Sequence, residues 1–206
     1  MFVKICGITN TDDARVAVEA GADAIGLNFV PGTPRYIEVA AAREIARAIP
    51  DAVKKVGVFV NESVKTINRC VREVPLDIVQ LHGDEAPETA RLVEAPIFKV
   101  VRVRGEIDVE RLRAYNASAY VLDTFVEGAH GGTGKTFDWD LALPVQDAGL
   151  PMLLSGGLTP DNVADAVRRI RPFGVDVSSG VEAGPGRKDH GKVRAFIANA
   201  RGGSRG

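Results

Sequence analysis

The chain has 206 residues and a mass of 21.9 kDa, is 45% hydrophobic and 26% charged, and carries 26 basic against 27 acidic side chains for a formal net charge of −1. That is the composition of an ordinary soluble domain, long enough to bury about 70% of the surface its unfolded chain exposes with no disulfide or metal staple. Balanced charge along the whole length excludes a nucleic-acid or anionic-membrane surface, which needs clustered positive charge, so an anionic ligand has to be held locally.

Short apolar, β-branched runs alternate with longer amphipathic stretches from one end to the other, the pattern of a parallel sheet covered by helices. In chain order the predicted strands are residues 2–6, 24–29, 55–60, 77–81, 97–101, 119–123, 151–154 and 175–177. Helix starts are marked by Thr9-Asn10-Thr11 before Asp12-Asp13, by Asn61-Glu62-Ser63, by Asp84-Glu85 and by Thr159-Pro160-Asp161, which supply cap oxygens, an early proline or first-turn carboxylates. Eight units of roughly 26 residues predict an α/β single-domain (β/α)8 TIM barrel near the lower end of its size range. An open doubly wound sheet uses the same alternation, but it has fewer strands as a rule, and Cys6-Gly7-Ile8-Thr9 after the first strand lacks the G-x-G-x-x-G of a dinucleotide site. No nucleotide cofactor is therefore expected. With no linker or composition shift, residues 1–200 read as the barrel and residues 201–206 as a disordered tail.

Cys6 and Cys70 are too few for a disulfide framework and lie outside any zinc-ligand spacing, which fits a reducing cytoplasm. The first residues lack a signal peptide's basic and apolar regions, and no apolar run approaches the ~18 residues of a membrane span.

In a barrel the chemistry belongs to the loops after the strands' C-terminal ends. That filter selects Cys6, Arg35, Gln80, His82, Asp123, Gly156-Gly157 and Ser178-Ser179-Gly180. Small residues directly after strands 7 and 8 let backbone N–H groups approach an anion, and a short helix from about Ser179 adds its positive end, so a phosphate site is expected there. Cys6 and Asp123 lie across the mouth from one another, as a thiolate base and a carboxylic acid would for moving a proton between adjacent carbons. Arg35, behind Pro31-Gly32-Thr33-Pro34, presents a planar fork for a substrate carboxylate. Each residue also has a structural use: tight turns for the glycines, a small buried side chain for Cys6, a cap for Asp123, a solvated surface for Arg35, and its own turn for His82. The glycine-rich stretch 128–136 fails the nucleotide P-loop pattern at Ala129 and reads better as a loop closing over a ligand, with His130 or Lys135 within reach of it.

At these residues the sequence resembles the phosphoribosylanthranilate isomerase family of tryptophan biosynthesis. The resemblance spans about residues 2–199. It rests on Lys4-Ile5-Cys6-Gly7-Ile8-Thr9, Pro34-Arg35-Tyr36-Ile37, Val79-Gln80-Leu81-His82-Gly83, Leu122-Asp123-Thr124, the stretch 131–139, Leu154-Ser155-Gly156-Gly157-Leu158 and Val175-Asp176-Val177-Ser178-Ser179-Gly180-Val181-Glu182, in that order. It implies Asp123 as general acid on the ribose ring oxygen, Cys6 as general base at C2, Arg35 on the anthranilate carboxylate, and the Gly156-Gly157 and Ser179-Gly180 backbones on the phosphate. Gln80, His82 and Asp176 complete the implied substrate-binding set. It implies neither a metal nor a redox cofactor, since the iminium formed on ring opening is itself the electron sink, and as partner only a small phosphoribosyl substrate, with a monomer or homodimer. Asn28 departs from the family pattern, which is apolar there, and bears on how Arg35 is posed. Other phosphosugar barrels would instead want a catalytic lysine, for which Lys4 and Lys99 are the candidates, or aspartates with metal-binding histidines; a non-catalytic phosphate-binding module would leave the acid/base pair unused.

Overall fold

The computed structural model describes residues 1–124 and 138–204. Among them the strands β1 (Phe2–Cys6), β2 (Ala24–Asn28), β3 (Lys54–Phe59), β4 (Ile78–Leu81), β5 (Ile97–Val103), β6 (Ala119–Thr124), β7 (Met152–Leu154) and β8 (Gly174–Val177) pair in sequence order, all parallel. β8 bonds back to β1 with Lys4 opposite Asp176 and Ile5 opposite Val177, which closes the barrel. The helices α1 (Thr11–Glu19), α2 (Val39–Ala48), α3 (Val64–Glu73), α4 (Pro87–Ala90), α5 (Val109–Arg113), α6 (Leu143–Asp147), α7 (Val163–Ile170) and α8 (His190–Gly203) follow the strands in turn. None is long and apolar enough to cross a membrane.

Strand alternation sorts the side chains into two populations. Val3, Ile5, Ile25, Leu27, Leu81 and Leu122 point outward into the core shared with the helices, each contributing roughly 1.5–3 kcal/mol by burial. Ala24, Val56, Phe98, Ala119, Val121 and Leu153 point inward and form a separate apolar plug. Further along the strands the inward positions turn polar: Cys6, Gln80, Asp123 and Asp176 all stand on the plug's side of the wall. Apolar filling below and polar groups above place the chemistry at one end.

Several helix starts follow directly from the sequence. Asn10 accepts the Asp13 N–H at 2.8 Å to cap α1, and Ser63 accepts the Thr66 N–H at 3.2 Å to cap α3. Asp84-Glu85 behaves differently: α4 begins at Pro87 with no side-chain cap, and Glu85 is turned inward to a buried lysine. β5 runs two residues beyond its expected end because Arg102 and Val103 pair with Asp123 and Thr124 of β6. The tail expected from residue 201 also needs correcting. α8 continues to Gly203, because the Arg201 guanidinium reaches back to the Gly21 carbonyl at 2.6 Å and to Asp23 at 3.0 Å and ties the helix to the start of the barrel.

Candidate active site

A cavity of about 720 Å³, counted out to its open mouth, occupies the C-terminal end of the barrel. Cys6, Arg35, Gln80, His82, Asp123, Gly156, Gly157, Asp176, Ser179 and Gly180 all line it. The glycine-rich stretch 128–136, with His130 and Lys135, lies outside the described residues.

The β8–β1 side is dense in charge. Cys6 ends β1 opposite Gly26, where a Cβ would stand 2.6 Å from the sulfur, so glycine is what makes room for the thiol. Two residues earlier on β1, the wholly buried Lys4 places Nζ 2.8 Å from Asp176 Oδ1, and Asp176 Oδ2 lies 3.5 Å from the Ser155 hydroxyl. Burial pushes the Cys6 thiol above its ordinary pKa; Lys4 and Lys188 pull it down and Asp176 adds to the rise. Burial also works against the charge on Lys4, but Asp176, with the thiolate, outweighs it and holds the ammonium above its ordinary value.

Arg35 lines the cavity with its fork already engaged. Nε and Nη2 donate to the two oxygens of Glu182 at 2.7 and 2.8 Å, and Lys188 Nζ donates to the same carboxylate at 3.0 Å and to the Ser178 carbonyl at 3.1 Å. Burial opposes ionisation of Glu182, yet these two cations hold its pKa below the usual carboxylate value. Glu182 opens the ribbon of β9 (Glu182–Gly184) and β10 (Arg187–Lys188), an element too short for the sequence pattern to reveal. The Nε edge of the guanidinium is thus occupied, while Nη1 on its outer edge has no acceptor among the described residues. Asn28 steadies the same loop, accepting the Val30 N–H at 2.9 Å and donating to the Thr33 hydroxyl at 3.2 Å.

The β4–β6 side is built from hydrogen bonds. Asp123 lies near the end of β6 and is nearly buried, with Oδ1 accepting the Thr124 N–H at 2.8 Å and Oδ2 3.4 Å from His82 Nε2. Gln80 Nε2 lies 3.3 Å from His82 Nδ1, and an amide N–H donated there leaves the ring proton on Nε2, toward Asp123. Gly156 has φ +73°, and a Cβ would stand 2.8 Å from Asp123 Oδ1, so only glycine lets the loop after β7 press on the carboxyl. Among the described residues Gln80 Oε1, His82 Nε2, Thr124 Oγ1 and Ser178 Oγ are buried without a hydrogen-bond partner. Such atoms are rare in folded proteins and mark a place built for polar contact.

The N–H groups of Gly156, Gly157, Ser179 and Gly180 belong to loops that line this cavity and donate to no other described residue. The short helix expected from about Ser179 is a single 3-10 turn, Ser179–Val181, so the loop offers individual N–H groups more than a helix dipole.

Lys99 lies on the other side of the wall. Its neighbours Phe98 and Val100 belong to the inner plug, so alternation turns Lys99 outward, where Nζ donates to the Leu81 and Gly83 carbonyls at 3.3 and 2.7 Å and to Glu85 at 2.9 Å. Glu85 in turn accepts the N–H groups of Asn61 and Gly83. The pair clips the turn that carries His82, and neither residue lines the cavity. Glu182, Lys188 and Glu85 carry no strong local signal of their part around the site. Position directly after β7 is a signal that finds Ser155; the partners of Lys4, Arg35 and Lys99 depend on how the barrel closes.

A closed (β/α)8 barrel with a thiol, a carboxyl and anion-ready loops on one face defines an enzyme of the TIM-barrel class. The profile of N-(5'-phosphoribosyl)anthranilate (PRA) isomerases matches residues 3–199. The N-(5'-phosphoribosyl)anthranilate isomerase of Citrifermentans bemidjiense is 51% identical over 199 residues, 97% of this chain and 96% of that protein. Among solved structures, monomers generated from the dimeric phosphoribosylanthranilate isomerase of Thermotoga maritima are 46% identical with a TM-score of 0.88, covering 98% of this chain and 99% of that one. A phosphoribosylanthranilate isomerase in complex with reduced 1-(o-carboxyphenylamino)-1-deoxyribulose 5-phosphate matches with the same identity, TM-score and coverage. The chain belongs to the N-(5'-phosphoribosyl)anthranilate isomerase family.

Proposed function

We propose that this isomerase converts N-(5'-phosphoribosyl)anthranilate to 1-(2-carboxyphenylamino)-1-deoxyribulose 5-phosphate, the Amadori step of tryptophan biosynthesis, with Asp123 as general acid and Cys6 as general base. The observation that carries the assignment of roles is that Cys6 and Asp123 line one cavity together with four undonated backbone N–H groups. Protonation of the ribose ring oxygen by Asp123 breaks the C1–O bond and leaves an iminium. The Cys6 thiolate then takes the C2 proton, the electron pair passes to the iminium nitrogen, and the enolamine tautomerises to the ketone. Gly156, Gly157, Ser179 and Gly180 hold the phosphate, Arg35 the anthranilate carboxylate through its outer edge, and Gln80 and Asp176 the ribose hydroxyls, while His82, 3.4 Å from Asp123, stands behind the acid.

Lys99, bound away from the cavity, and the ion-paired Lys4 do not support a lysine mechanism. Every residue assigned here comes from one chain, so these roles need no residue from a second copy. A metabolite substrate and two free cysteines fit work in a reducing cytoplasm.

The test follows the decay of anthranilate-type fluorescence when freshly made substrate meets wild type, Cys6→Ala and Asp123→Ala with chelator present. Rapid decay in the wild type and a loss of about 10²-fold or more in each variant is expected. An inactive wild type would overturn the substrate assignment, and activity surviving Cys6→Ala would overturn the role of the thiol.

A further inference from the structure

Lys4 sits where an apolar residue would serve the packing. It lies two residues before Cys6 on β1, fully buried above the plug of Ala24, Val56 and Phe98. A buried ion pair is at best neutral for stability against a well-packed apolar replacement, so a lysine here calls for another explanation. Its ammonium has three N–H donors. Asp176 Oδ1 takes one at 2.8 Å, and the Cys6 side chain stands two residues further along β1, on the same face of the strand, where the charge of Lys4 acts on it.

The wider surroundings of the sulfur point the same way. From β1 it faces Lys4, from β8 Asp176, from the ribbon Lys188 with its partner Glu182 behind it, and from the loop after β2 Arg35; His82 and Asp123 stand across the cavity. Around Cys6 itself three cations meet two carboxylates, which leaves one net positive charge for a thiolate to complete.

We propose that Lys4 is a positioning residue for the Cys6 thiolate: anchored by Asp176, its ammonium turns an N–H to Sγ and holds the sulfur aimed into the cavity while it takes the substrate proton. Lys4 itself neither gains nor loses a proton in that step; the proton moves from substrate carbon to sulfur. The inference rests on Cys6 as the base, but it makes a statement about the free enzyme that can be measured without substrate.

A Cys70→Ala background leaves Cys6 as the sole thiol, whose ionisation is followed by thiolate ultraviolet absorbance and by the pH dependence of alkylation, with folding checked by circular dichroism. Lys4→Met and Lys4→Gln are expected to move the Cys6 titration upward by about one pH unit or more, Lys4→Arg to hold it within about half a pH unit, and Asp176→Asn to move it downward. Opposite signs at the two positions separate an electrostatic hold from general loosening, which would move both the same way. In turnover, the neutral Lys4 variants lose kcat near neutral pH by about tenfold for a titration that rises by one pH, regain it at higher pH, and keep KM within about twofold. An unchanged thiol titration in the neutral variants, or movement in the same direction at both positions, would overturn the proposal. If one neutral variant fails to fold, the other still decides it. Activity surviving Cys6→Ala would remove the base assignment alone and leave the titrations to judge the contact between Lys4 and the sulfur.

Discussion

The two sides of the barrel mouth meet the cavity in opposite ways. Along β8 and β1 the charged groups are matched before substrate arrives: Lys4 with Asp176, Arg35 and Lys188 with Glu182. Along β4 and β6 the polar groups are held by single hydrogen bonds, and Gln80 Oε1, His82 Nε2 and Thr124 Oγ1 are left over. The first arrangement fixes charge in place and tunes a neighbour; the second leaves polar atoms for a ligand, at a cost of roughly 1–3 kcal/mol each while they stay unpaired. The proposed base, Cys6, which must be ionised before it reacts, sits on the preset side. The proposed acid, Asp123, which must present a proton to an oxygen in the substrate, sits on the open side.

The largest effect that sharpens the contrast comes from outside the cavity. Lys99 holds the turn behind His82 through Glu85 and two carbonyls, and Glu85 is almost fully buried. Lys99→Met leaves that carboxylate without its cation, and breaking such a pair costs about 3 kcal/mol. Urea denaturation should show that loss, with kcat falling far less than in the Asp123 variant. A loss below about 1 kcal/mol would mean that the open side does not depend on the clip.

On the preset side, Arg35→Ala removes the proposed carboxylate contact and also a partner of Glu182, which keeps Lys188. A charge-assisted hydrogen bond contributes about 1.5–3 kcal/mol, so KM should rise about 10- to 100-fold with a smaller change in kcat. Substrate lacking the carboxylate should bind wild type and variant alike. If the variant still discriminates against it, the carboxylate is held elsewhere.

Legibility in the sequence follows the same divide. Strand alternation and position after a strand are enough to gather Cys6, Gln80, His82 and Asp123, because those signals are local. The ion pairs on the preset side join residues far apart: Lys4 and Asp176 are separated by 172 positions, Arg35 and Glu182 by 147. Only closure of β8 onto β1 makes the first pair neighbours, and only the ribbon after β8 brings Glu182 to the loop after β2. Glu85 misleads because a carboxylate ahead of Pro87 has the look of a helix start, whereas the buried cation on the neighbouring strand decides its direction. Arg201 looks like tail since nothing near it in sequence shows that it has Gly21 and Asp23 to bind.

The smallest of these effects is expected at His82, and it tests the open side most directly. Asp123 Oδ1 is fixed by the Thr124 N–H, so the carboxyl keeps one anchor whatever stands at position 82; Oδ2 faces His82 at a distance longer than a strong hydrogen bond. His82→Asn should therefore lower kcat by about tenfold, equivalent to about 1.4 kcal/mol of transition-state stabilisation, and leave KM close to its original value. A rise in KM with kcat intact would place His82 on the substrate rather than on the acid. A loss as large as that of Asp123→Ala would make the imidazole, with its proton on Nε2, the group that protonates the ring oxygen, and Asp123 the residue that orients it.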